Sequence, residues 1–257
     1  MRDAILAVYR RTVPDRVRAI VRGALPPPEG AGWDRRAIAA RYLSGAGLEI
    51  GALQNPLEVP ASARVKYVDR MSISGLRQHY PELAELPLVD VDILDDGERL
   101  GTIADSSQDF VIANHFIEHC ENPLLALRNM LRVLRASGVL YLAVPDKRHT
   151  FDAERPVTTL SHLLRDYEEG PEWSRAGHYL EYARLVGKTD DPEGDAAGLM
   201  ARGYSIHFHV WTPLGVLELM SALPALIGAR FEIECFVAQD RECVAVLRKD
   251  AASSASR

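Results

Sequence analysis

Gly47-Leu-Glu-Ile-Gly51 and, further along, Val65-Lys-Tyr-Val-Asp-Arg70 decide how this chain folds. In the first stretch an apolar run stops at a glycine, and in the second an apolar run stops at an acid. Short apolar runs bounded by turn residues read as buried strands. Glycine at the end of one lets the backbone come close to a ligand, and a carboxylate at the end of the next accepts hydrogen bonds from a diol. Together they describe the edge of a sheet that holds a nucleoside.

Outward from these two runs, strands and helices alternate. The pattern predicts strands at Leu48–Ile50, Val65–Val68, near Leu88–Val91, Asp109–Ala113 and Val139–Val144. Helices are expected at Trp33–Leu43, Ser74–His79 and Pro123–Leu134. Continuous apolar strands separated by helices imply a buried, mostly parallel sheet, with ligands at the carboxyl ends of its strands. Thr212 and Pro213 mark the start of another helix, as a capping hydroxyl and a first-turn proline. The chain then closes with two strands, Phe231–Val237 and Glu242–Leu247, read as an antiparallel hairpin. The expected organisation is an amphipathic segment and Pro/Gly linker over 1–32 and a core over 33–145. An insertion over 146–211, the rest of the core over 212–250 and a disordered polar tail over 251–257 complete it. No internal repeat is present.

Bulk properties exclude several classes. The chain has 257 residues, 47% hydrophobic and 26% charged, with a net charge of −6. That balance suits a globular domain and gives no basic footprint for nucleic acid. Cys120, Cys235 and Cys243 are odd in number and lack metal or redox spacing, which points to a reducing cytoplasm. No apolar run reaches the roughly 20 residues that span a bilayer. Arg10 and Arg11 interrupt any signal-peptide core. Residues 1–24 are arginine-rich with an apolar side, fit for peripheral contact with an anionic membrane or for packing on the domain or on a second subunit.

Which nucleoside follows from what is missing. A dinucleotide fingerprint needs GxGxxG so that a pyrophosphate can sit against the backbone, but Gly51-Ala-Leu-Gln-Asn-Pro56 retains only the first glycine. A phosphate-free nucleoside does not need that approach. At this point the chain resembles the class I S-adenosylmethionine (SAM)-dependent methyltransferases, in particular the type-11 small-molecule enzymes. The residues that carry the resemblance are Gly47–Gly51, Tyr67-Val-Asp69, Val91-Asp-Ile-Leu94, Asp109–His119, Asn122-Pro123, Leu131–Leu134 and Gly138–Asp146. It implies a doubly wound, mostly parallel seven-stranded sheet of the Rossmann-like methyltransferase kind. An antiparallel C-terminal hairpin and an inserted, mostly helical lid over 146–211 complete that fold. It implies SAM as cofactor, with Glu49 and Gly51 shaping the pocket for the methionine part and the loop after them, Ala52 and either Gln54 or Asn55, in contact with the cofactor. Asp69 and Arg70 fall at the ribose, Asp92 and Ile93 flank the adenine, and Asn114 and His115 end the fourth strand beside the methyl group. Ala52-Leu53-Gln54-Asn55 departs from the family, which often has two more glycines there.

Five of eight histidines fall between His149 and His209, in the segment where the resemblance places substrate-covering elements. Methyl transfer from a sulfonium needs alignment and removal of the acceptor's proton, and histidine suits the second task. His115, His119, His178, His207 and His209 are therefore candidates for the base. His162 and Asp166 share a helical face at i, i+4, and His207 and His209 share a face if their segment is extended. A second reading makes His178, His207, His209 and Asp166 ligands of a divalent metal, but no zinc spacing is present and a metal is not favoured. The plain alternative is hydrogen-bonded structural histidines. Lys147, Arg148 and Arg155 either bind an anionic acceptor or pair with Asp146, Asp152 and Glu154. The expected reaction is methylation of a small molecule, at a hydroxyl of a sugar or secondary metabolite. The rivals are a SAM-binding enzyme that does not methylate, such as a cyclase, and a catalytically silent SAM-binding scaffold.

Overall fold

A computed structural model describes residues 33–239 and 241–251. The expectations for residues 1–32 and for the tail from 252 onward lie outside the described residues.

Seven strands form one sheet: β1 (Gly45–Ile50), β2 (Ala63–Asp69), β3 (Ile93–Leu94), β4 (Gln108–Asn114), β5 (Leu134–Pro145), β6 (Phe231–Gln239) and β7 (Glu242–Lys249). Their order is β3-β2-β1-β4-β5-β7-β6. Pairs β2–β3, β1–β2, β1–β4 and β4–β5 are parallel, and β7 runs antiparallel to both β5 and β6. This is the expected doubly wound, mostly parallel seven-stranded sheet with an antiparallel C-terminal hairpin. Strand order reverses between β1 and β4, so a crevice opens at their carboxyl ends.

The central strands are apolar on both faces because helices cover both. Alternate residues of β4 go to opposite sides: Val111 and Ala113 join one core cluster, Phe110 and Ile112 the other. Helices α1 (Arg35–Tyr42), α2 (Ile73–His79) and α3 (Pro123–Val133) belong to the first half of the chain. Asp34 caps α1 through Ala37 N, at 2.7 Å. Asn122 caps α3 by accepting from Leu125 N at 3.0 Å, with Pro123 in the first turn. Such caps contribute about 1 kcal/mol each.

The sequence and the structure differ at the third strand. The apolar run Leu88–Val91 is not a strand; pairing with β2 begins at Ile93 opposite Val68. Val89 N donates instead to the Leu53 carbonyl, so the run supports the loop after β1. Asp92 then fixes the register, its carboxylate accepting from Tyr67 N at 2.8 Å.

The insertion is helical: α4 (Leu160–Glu169), α5 (Glu172–Tyr182), a π turn at Ala183–Gly187 and α6 (Pro192–Ala201). Tyr179, Ala183, Ala196, Ile206 and Phe208 form its own small apolar cluster. It rejoins the sheet through a bridge between Asp146 and Trp211. Helix α7 (Pro213–Ile227) follows with Thr212 as its cap, as its sequence signals require.

Candidate active site

The crevice holds a cavity of about 360 Å³ at the carboxyl ends of β1 and β2. Ile50, Val68, Leu76 and Phe116 give it apolar walls, while Asp69, Arg70, Asp96 and His119 bring polar groups to it. Two glycines keep it open. Gly51 adopts φ +64°, a left-handed turn that side chains disfavour. At Gly97 a Cβ would lie 2.5 Å from Phe116 Cζ and 2.6 Å from Ile50 Cγ2, so only glycine preserves that wall.

Asp69 ends β2, and burial raises its pKa. Its Oδ1 takes one weak bond from Met71 N at 3.2 Å, which leaves acceptor capacity for a diol. Arg70 donates to the Tyr80 hydroxyl and lies 5.9 Å from that ring, against the same wall. These features fit SAM. The diol has its acid, the flat base has apolar walls, and the glycine-lined surface admits close approach. SAM supplies an electrophilic methyl group on a sulfonium when bound there.

The other expected cofactor residues lie elsewhere. Glu49, on β1, is buried, accepting from Leu57 N at 3.0 and 3.1 Å, and burial pushes its pKa up to about 7. Ala52 and Asn55 close a turn through Asn55 N and the Ala52 carbonyl, while Leu53, at φ +51°, takes the cavity wall. Asp92 is exposed, and neither it nor Ile93 lines the cavity, whereas Asp96 and Gly97 after β3 do. The Asn114 amide is buried without a hydrogen-bond partner. His115, at φ +49°, hydrogen-bonds Glu242 through Nε2 at 2.7 Å. Burial alone would raise the pKa of Glu242; hydrogen bonds from His115 and Arg35 outweigh it and hold it at about 2.

The histidine candidates separate into distinct groups. His119 lines the cavity. Its Nδ1 sits 3.0 Å from the Ile206 carbonyl, which can only accept, so Nδ1 carries the proton and Nε2 keeps its lone pair. Burial, helped by neighbouring His207, pushes its pKa down to about 3. His207 lies edge-on to it, with ring centroids 4.6 Å apart. His207 Nδ1 is 2.6 Å from Asp152 Oδ2, and Asp152 Oδ1 accepts from Arg155 at 2.8 Å. The three are buried, so Arg155 is a structural partner and not an anion clamp. Arg148 is likewise bound to Asp146, and Lys147 donates to the Ala153 carbonyl. His178 and His209 are away from the cavity in a second cluster with His162 and Asp166.

A second, more polar cavity of about 590 Å³ adjoins the first. It shares Arg70, Asp96, Glu98, His119, Tyr204 and Ser205 with it, and adds Glu121, Arg175 and Tyr179. Its far wall comes from the insertion. Sequence reasoning missed Gly97, Phe116, Tyr204 and Ser205. Asp95-Asp96-Gly97 carried a turn signal, whereas nothing local marks Tyr204 and Ser205, which reach the site through the return path of a long insertion.

Residues 44–142 match the family model described as a methyltransferase domain. No curated protein matches the chain. Among solved structures, a SAM-dependent methyltransferase from Methanosarcina mazei is 15% identical, with 82% of this chain and 96% of that chain covered and a TM-score of 0.46. One from Aquifex aeolicus is 12% identical, covering 79% and 81% with a TM-score of 0.42.

Proposed function

We propose that this chain, which matches a methyltransferase-domain model over residues 44–142, is a class I SAM-dependent methyltransferase that methylates a hydroxyl of a polar small molecule, with His119 as the base. The observation that carries this reading is the position of His119 on the wall common to both cavities. The apolar cavity suits the cofactor. The adjoining cavity, with Glu121, Arg175 and Tyr179, offers donors, acceptors and an aromatic wall to a hydroxyl-bearing acceptor such as a sugar or a ring metabolite.

In this reading each residue has one task. Asp69 holds the ribose diol and so fixes the direction in which the methyl group points. Phe116 and Leu76 exclude water from the apolar part. His119 is neutral at physiological pH, and its Nε2 lone pair takes the acceptor proton as the new bond to carbon forms. The Ile206 carbonyl keeps the proton on Nδ1 and so keeps the productive tautomer. Its low basicity places proton transfer late, after the oxygen has begun to share its electrons with the methyl carbon.

The test is SAM turnover on a panel of hydroxylated acceptors, with methylated product and S-adenosylhomocysteine both measured. His119→Gln is expected to lower kcat by about 10²- to 10⁴-fold with S-adenosylhomocysteine affinity unchanged. Activity within threefold of the parent would refute the role of His119. S-adenosylhomocysteine-free consumption of SAM would favour the non-methylating reading.

A further inference from the structure

Three pieces of the insertion bring four metal-ligating side chains to one point. His162 and Asp166 lie one turn apart on α4, His178 is on α5, and His209 is on the return segment that leads back to the sheet. One nitrogen or oxygen from each falls within 4.8 Å of all the others. His162 Nε2 is 3.0 Å from His178 Nε2 and 3.2 Å from Asp166 Oδ2. His209 Nε2 is 3.7 Å from the same Asp166 oxygen.

The three shortest of those separations bracket the ones a tetrahedral ion imposes. Zinc–nitrogen bonds of about 2.0–2.1 Å place neighbouring ligand atoms about 3.3–3.4 Å apart. Asp166 is fully buried, and among the described residues its Oδ2 accepts no hydrogen bond even though it lies near two imidazoles. A buried carboxylate oxygen left this way is costly unless something positive meets it. Its other oxygen accepts from Ser174 Oγ at 2.8 Å, the outer support that ligating carboxylates commonly have. His209 is also fully buried, stacked on Trp211, and among the described residues its ring makes only one hydrogen bond, a long one of 3.4 Å from Nε2 to the Glu121 carbonyl. A bond to a metal would replace that contact.

We propose that His162, Asp166, His178 and His209 bind a zinc ion that clasps α4, α5 and the return segment together. Three imidazoles and one carboxylate are a borderline nitrogen–oxygen set that suits zinc among available divalent ions. All four positions are filled by protein, so the ion is structural. Its effect reaches the cavities through two short links. The backbone carbonyl of Asp166 accepts from Asn122 Nδ2 at 2.9 Å, and the segment that carries His209 also carries Ser205. The spacing His162–Asp166–His178–His209 spreads the ligands over a long stretch, which is why it matches no short sequence signature.

The experiment uses the full chain, produced without a polyhistidine tag. Elemental analysis after gel filtration is expected to find about one zinc per chain, and chelation should lower the melting temperature until zinc is restored. Cobalt(II) added to the stripped protein should give the intense visible bands of four-coordinate geometry. His162→Ala, at the half-exposed edge of the cluster, should abolish those bands, while His149→Ala should leave them intact. Should His162→Ala not fold, the cobalt spectrum and zinc-dependent melting of the parent decide alone. The proposal is overturned if the parent binds neither ion at micromolar concentration, or if zinc stoichiometry survives both His162→Ala and His178→Ala.

Discussion

Gly97 is the position at which one added methyl group should report on the cofactor cavity. Built onto this backbone, a Cβ falls 2.5 Å from Phe116 Cζ and 2.6 Å from Ile50 Cγ2. Carbon atoms rest about 3.5–4.0 Å apart, so each pair must open by about 1 Å. Ile50 cannot move, because β1 is held between β2 and β4. Phe116 can, and the free space beside it is the cavity. In Gly97→Ala the free protein therefore relieves most of the clash by turning Phe116 inward, with a small loss of stability. Bound cofactor must push it back. Restoring an overpacked arrangement costs about 1–3 kcal/mol, which corresponds to a Kd for S-adenosylhomocysteine raised about 5- to 150-fold. Calorimetric titration measures it. Gly101→Ala is the control, since its Cβ would meet nothing nearer than Asp95 Oδ1 at 4.0 Å. Gly97→Ala within twofold of the parent, or an equal loss in Gly101→Ala, would show that this wall does not contact the cofactor.

Asp69→Asn keeps the shape of β2 but removes charge-assisted acceptance, worth about 1.5–3 kcal/mol, so S-adenosylhomocysteine should bind about ten- to hundredfold more weakly; unchanged affinity would remove Asp69 from the site. Glu49 has a pKa raised from 4.5 to about 7 by burial, so its contribution to stability is full below pH 4.5 and is lost as pH rises through 7. Glu49→Gln should therefore stabilise the cofactor-free protein at about pH 8 by up to about 3 kcal/mol, at about 1.36 kcal/mol per unit, read as a higher melting temperature. That gain should vanish at about pH 4, and a pH-independent difference would contradict the assignment. For His119 the sign is opposite. Its pKa falls from 6.5 to about 3, so stability is full above pH 6.5 and is lost as pH drops toward 3, a loss that His119→Gln should reduce in acid melts. On the exposed face of α5, a Cβ at Gly177 would meet nothing within 4 Å, so Gly177→Ala should add about 0.5–1 kcal/mol of stability; a lower melting temperature would argue against the helix there.

The sheet was readable because its signals are local. Apolar runs ended by Gly51 and Asp69, caps such as Asn122-Pro123 and Thr212-Pro213, and the final hairpin each state their structure within a few residues. The third strand was misplaced because Leu88–Val91 is the longer run, with three apolar residues against the two of Ile93–Leu94, yet register is set by Asp92 binding the backbone at Tyr67. That long-range bond has no local mark. The same limit applies to the site. Gly51 and Asp69 line the cavity at the ends of their strands, whereas Tyr204 and Ser205 reach it only because the insertion turns back on the core. The histidines were visible as a concentration in one segment, but which of them meet depends on how α4, α5 and the return segment pack. His162 belongs with His178 and His209, and His207 does not.

That division has a specific cause in the backbone at Glu118. Its carbonyl accepts from both Phe208 N, at 2.7 Å, and His209 N, at 3.2 Å. One acceptor serving two successive amides bends the return segment away from a regular strand, so His207 and His209 do not stand side by side on a single face. His207 goes to Asp152 and the rim of the cofactor cavity, while His209 goes to Asp166 between α4 and α5. The turn after β4, Ile117–His119, thus positions with one atom a group next to the proposed base and a group in the proposed zinc site. It follows that perturbing the clasp should be felt at the base through this short segment. Loss of activity in His178→Ala would then be read through the position of Ser205 and His207, since His178 itself lies outside both cavities.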